Sequence, residues 1–119
     1  MTLNELLTAI KTQPNNIQFD DVIETISNEY TYTAAKFTNG LGDDMIVNES
    51  ESNEGSCKIL AFATLNELSN DQTLACFGKY YREDVLQNPE GSDHANIRTL
   101  MKYSLDDVFF YDTVLVKKK

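Results

Sequence analysis

The sequence has no tryptophan, one histidine, two cysteines, two prolines and five glycines in 119 residues. These shortages exclude several protein classes. A single histidine, His94, rules out metal catalysis through several imidazoles. Two cysteines without a CxxC or Cys/His cluster form neither a zinc framework nor a disulfide scaffold. Cys57 and Cys76, both in apolar helical segments, therefore read as small core residues in a reducing compartment. No apolar run approaches the roughly 20 residues of a membrane span. The opening "MTLNELLTAIKTQ" lacks the basic-then-apolar order of a signal peptide, so a cytoplasmic location is expected. GxGxxG, P-loop, GxSxG, HExxH and kinase signatures are missing, and no cofactor is implied.

Positive charge is scarce as well. Ten Lys and Arg against nineteen Asp and Glu give a formal charge of −9. Nucleic-acid affinity comes from neutralised phosphates, so this acidic chain is not expected to bind nucleic acid. Anionic membranes are disfavoured for the same reason. The one basic run, residues 117–119, reads as a solvated end.

What the chain does contain is a core. With 41% hydrophobic and 10% aromatic residues, it suits one folded domain spanning residues 1–119. Thr2 and Glu5 form a capping box before Leu3, Leu6, Leu7 and Ile10, predicting a helix that ends at Pro14. Phe19, Val22, Ile23, Ile26 and Tyr30 repeat the spacing, so an αα-hairpin opens the chain. "YTYTAAKFTNG" and Met45-Ile46-Val47 predict a small hairpin over 32–38 and 45–48. Residues 57–68 are apolar on nearly every face, as in a buried central helix. Ser69 and Gln72 box the start of a longer helix through Val85, and Ser92 or Asp93 is expected to cap a last one through Met101. "VFFYDTVLV", residues 108–116, reads as a ribbon folded at Asp112-Thr113. The fold class is α+β: about five helices around the 57–68 helix, with a small antiparallel sheet from 32–38, 45–48 and 108–116.

Three constellations bear on chemistry. Cys57 at a predicted helix start, with His94, Asp93 and Asn96 at another, supplies the parts of a thiol acyl-transfer site. Against that, two helix starts intervene, and His94 shares a helical face with Ile97 and Met101. The acidic loop 48–55 fails the calcium-loop template: counted from Ser50, Gly55 falls at the sixth place but the twelfth is Ala61. It reads as a solvated loop suited to a basic partner, with no metal. In "GKYYREDVL", Tyr80 and Arg82 are expected to face outward, first as plain helix-surface residues with Arg82 opposite Glu83 and Asp84, and alternatively lining an anion or peptide site with Lys58 and Arg98.

The segments "NEGSCKILAFA", "QTLACFGKYYREDVL" and "PEGSDHANIRTLMK", with "YTYTAAKFTNG" upstream, resemble the HopJ type III effector family over about residues 1–116. The resemblance implies a bacterial protein. From the family's name, it also implies secretion into a host by a type III system. It implies no established activity and gives neither Cys57 nor His94 a role. Type III signals are usually Ser-rich disordered tails, whereas a capped helix is expected here from Thr2. The resulting expectation is a small acidic module that docks a protein or peptide. Its contact regions would be 48–58 and 88–98, through Glu54, Lys58, Tyr80, Arg82, His94 and Arg98. The alternative is a thiol-dependent hydrolase or transferase using Cys57 and His94.

Overall fold

Thr2 caps the first helix as its capping box predicts. In the computed structural model, which describes residues 1–118, the Thr2 hydroxyl accepts from Glu5 N at 3.1 Å and Glu5 Oε1 accepts from Thr2 N at 2.8 Å. Helix α1 (Leu3–Thr12) buries Leu6 and Ile10, and Pro14 ends it. Helix α2 (Phe19–Glu29) returns along it, burying Val22 and Ile26. Both pack on α3 or its neighbours, and α3 (Glu54–Leu65) has Ile59, Leu60, Phe62 and Ala63 wholly inaccessible. This is the expected central helix shifted toward the N-terminus. It starts at Glu54, so Cys57 closes its first turn. It stops at Leu65 because Asn66 Nδ2 takes the Phe62 carbonyl at 2.9 Å and Glu67 turns left-handed (φ 53°).

The single helix expected from Ser69 to Val85 is broken into two. Its capping box does open α4 (Asn70–Ala75), but a π-helix, Tyr80–Val85, follows a left-handed Gly78 (φ 60°). A Cβ on Gly78 would lie 2.7 Å from Phe19 N, so the break lets the α1–α2 connection approach the backbone there. The last helix, α5 (Ala95–Lys102), is preceded by His94 as its N-cap residue; neither Ser92 nor Asp93 holds that position.

The strands are short: β1 (Tyr30–Tyr32), β2 (Phe37–Asn39), β3 (Ile46–Asn48), β4 (Val108–Phe110) and β5 (Leu115–Lys117). The expected hairpin survives as β2–β3, with Phe37 opposite Asn48 and Asn39 opposite Ile46. The 108–116 ribbon does not form. Instead β4 pairs with β2 and β5 with β1, all antiparallel, giving the orders β3-β2-β4 and β1-β5. Tyr111 N donates to Lys36 O and Thr33 N to Val114 O, which carries the pairing across the gap. Running beside 30–39 buries Phe37, Val114 and Leu115 in the core, which a solvent-exposed ribbon would not do.

Candidate functional site

Strands β2 and β3 carry two polar residues into the core, Asn39 and Asn48, and both meet Asn96 in the first turn of α5. Asn39 Nδ2 donates to Asn96 O at 3.0 Å and to Asn96 Oδ1 at 3.1 Å. Asn48 Nδ2 donates to Asn96 Oδ1 at 3.1 Å, and Asn96 Nδ2 returns a bond to Asn48 Oδ1 at 2.9 Å. Asn53 Nδ2 reaches the same Asn48 oxygen at 2.7 Å. A buried amide without partners costs about 1–3 kcal/mol, so this network fixes its members firmly. It ties the start of α3 and the start of α5 to one pair of strands.

Both helix starts are built alike. Asn53 (φ 51°) and His94 (φ 52°) are left-handed N-cap residues, and neither side chain caps its own helix. The Asn53 amide is drawn to Asn48, and the His94 ring to Asp84. Asp84 Oδ2 only accepts, so His94 Nε2 carries the proton across their 3.0 Å separation. As a result, the first-turn N–H groups of Gly55, Ser56, Ala95 and Asn96 have no protein acceptor among the described residues. These four residues line one open cleft of about 330 Å³, together with His94 and Asn53. Its apolar wall is Phe19, Ile46, Phe77, Tyr80 and Ile97. Tyr80 holds that wall rigid, meeting Phe19 edge-on at 5.0 Å and lying against the His94 ring at 5.3 Å. Two helix N-termini, each carrying roughly half a positive charge, thus face an apolar-walled hollow.

The profile of the HopJ type III effector protein family matches residues 3–115. The chain belongs to that family. A solved structure described as "unknown function protein VPA0580" is 42% identical, with a TM-score of 0.93, covering 99% of this chain and 95% of its own. No curated protein matches the HopJ chain.

Within this HopJ domain Asp93 Oδ2 stays 3.7 Å from His94 Nε2, but Cys57 does not join His94 in the cleft lining. Cys57 is 1% exposed and sits on the far side of α3 from the cleft lining, its Sγ 4.0 Å from Ala35 O. Burial pushes its thiol pKa up, with smaller opposing effects from the Ala35 backbone and the Tyr32 hydroxyl. A thiol activated by a helix start would be shifted the other way. Asp93 is engaged by Arg98, whose Nη2 lies 2.7 Å from Asp93 Oδ1, and this bond holds the carboxyl below its usual range. Arg98 is occupied as a clamp, donating also to Asp93 O and Asn88 O. Glu54 and Lys58 pair with each other at 2.9 Å, and the Lys58 ammonium lies 4.8 Å from the Tyr32 ring centre. Arg82, expected outward, is partly buried, with Nη1 enclosed. Of the residues named from the sequence, Tyr80, His94 and Asn96 line the cleft. Ser56, Asn53, Phe19 and Asp84 complete the site without having been singled out for it, and Asn96, named for the thiol reading, enters it through the asparagine network. For Asn53 and Ser56 the available signal was their place beside Cys57 at the mouth of the apolar helix.

The thiols give a direct test. Burial raises Cys76 to about 12, and burial first, with nearby negative charge, raises Tyr32 to about 12. A group whose folded pKa is raised stabilises the fold below its ordinary pKa and loses that contribution as pH rises through the folded value. Melting temperature is therefore expected to hold up to about pH 9 and fall steadily toward pH 12. At neutral pH, iodoacetamide is expected to modify Cys57 and Cys76 only as fast as the protein unfolds. Rapid modification of Cys57 in the native protein would revive the thiol chemistry.

Proposed function

We propose that this HopJ-family protein is a small acidic binding module whose cleft takes the C-terminal end of a protein or peptide. An apolar last side chain would lie against Phe19, Phe77, Tyr80 and Ile97, and the terminal carboxylate would accept from the Gly55, Ser56, Ala95 and Asn96 amides. The observation that carries this reading is the convergence of two uncapped helix N-termini on one apolar-walled cleft. The net charge of −9 opposes an anionic ligand. Long-range repulsion is screened over about 8 Å at physiological ionic strength, so the nearby donors decide. Charge-assisted hydrogen bonds contribute about 1.5–3 kcal/mol each when their donors are otherwise unpaired.

The test is anisotropy titration with a labelled peptide ending in Phe, as free acid and as amide. The acid is expected to bind at least about tenfold more tightly. Equal affinities, or no binding by either form, would overturn the reading. A cytoplasmic location is part of the same proposal, with delivery by type III secretion as the alternative that the family description supports. Export of a reporter fused to residues 1–20 from a type III-competent strain would favour delivery, and retention the cytoplasm.

A further inference from the structure

One apolar face of the sheet has no neighbour. In β3-β2-β4, Phe37 and Asn39 point inward, so alternation puts Val47, Thr38 and Phe109 in one row on the opposite face. Val47 is 47% exposed and Phe109 60%, flanking a nearly buried Thr38. Tyr111, two residues along from Phe109, extends the row's edge, the two rings meeting edge-on at 5.1 Å. Exposed Met45 continues it beside Val47. Both outer strands, β3 and β4, are sheet edges. Proteins normally blunt such edges with lysine, proline or a covering element. Here the strands themselves carry no Pro, Lys or Arg, and Lys36, at the end of β2, is turned over the Tyr111 ring at 5.0 Å. At the ends of β3 the exposed charges are acidic: Asp43 and Asp44 before it, the latter paired with Lys102 at 2.6 Å, and Glu49 after it.

An apolar row with an acidic rim limits what can cover it. A second copy would bring Asp43 and Glu49 against their own kind on a chain already carrying −9. We propose that this face docks an extended segment of a different protein that alternates apolar side chains with lysine or arginine. The apolar side chains would cover Val47 and Phe109, and the cations would meet the acidic rim. The face shares no residue with the cleft lining, so it is a second contact surface, and the domain would join two partners.

The probe is a short synthetic peptide alternating Lys with Val, with a Glu-for-Lys peptide as control, titrated into ¹⁵N-labelled protein. The Lys peptide is expected to shift the amide signals of Val47, Phe109 and Tyr111 and to bind more weakly as salt rises. The double variant Val47→Thr/Phe109→Thr puts a strand-favouring β-branched residue at both positions and is expected to weaken binding about tenfold while melting like the parent. No binding by the Lys peptide, equal binding by the Glu peptide, or shifts confined to Gly55 and Ala95 would each overturn the proposal. So would unchanged affinity in the double variant, or a dimer of the free protein that the double variant abolishes, which would assign the face to a second copy. If the double variant fails to fold, Glu49→Lys, on the rim alone, must weaken the Lys peptide for the proposal to stand.

Discussion

Gly78→Ala is expected to destabilise the protein by about 3 kcal/mol, measured by urea unfolding. Two effects add. The backbone at Gly78 is left-handed (φ 60°), which costs an L-residue about 1–2 kcal/mol. The new methyl would also sit 2.7 Å from Phe19 N and 3.3 Å from Ile17 O. These are main-chain atoms, which cannot swing aside as a side chain would, so the α1–α2 connection must move. Gly42 provides the control. It has nearly the same conformation (φ 59°), but nothing lies within 4 Å of its missing Cβ. Gly42→Ala should therefore show only the conformational effect, about 1 kcal/mol. If Gly78→Ala costs no more than Gly42→Ala, close approach of the backbone is not why the Ser69–Val85 helix breaks. Any shift at Phe19 would also disturb its 5.0 Å contact with Tyr80, so the cleft should weaken along with the fold.

Asn96→Leu is expected to cost about 2–4 kcal/mol, although the side chains are similar in size. The variant leaves Asn48 Nδ2 without its acceptor and Asn39 Nδ2 with the residue-96 carbonyl alone. Both partners are essentially inaccessible, so water cannot replace the lost bonds. Asn53→Ala, at the exposed end of the network, should cost less than half as much. Asn48→Ala and Asn96→Ala should be far from additive, because either one breaks the same pair of bonds. Additive losses, or a neutral Asn96→Leu, would show that the network does not set the spacing of the two helix starts.

Local rules carried a good part of this fold. The boxes Thr2–Glu5 and Ser69–Gln72 need only residues three apart, and both form as read. The apolar run behind Cys57 marks the central helix, because being apolar on every face leaves a helix nowhere to sit except inside. What stayed illegible depends on partners distant in sequence. Asn39 and Asn96 are 57 residues apart, and three buried asparagines look like loop residues until the strands and α5 meet. Gly78 reads as one more residue in a helix until the backbone of Phe19 is beside it. The β4 and β5 strands favour 30–39 over each other because the core rewards that pairing, which no local pattern records.

The site was missed by a single position. "NEGSCKILAFA" does hold functional geometry at its polar end, but successive helical residues are turned by about 100°. Cys57 therefore faces Ala35 and Tyr32, while Gly55 and Ser56 face the cleft. His94 was correctly placed at a helix start, but its partner proves to be Asp84, one turn below Tyr80 on the π-helix.

The most direct test of the cleft is an amide chemical-shift map taken with N-acetylphenylalanine and, separately, with its carboxamide. With the acid, the amide protons of Gly55, Ser56, Ala95 and Asn96 are expected to move together and saturably downfield, while the carboxamide leaves them nearly unmoved. Shifts that are the same for both compounds, or that spare either helix start, would contradict a carboxylate held between the N-termini of α3 and α5.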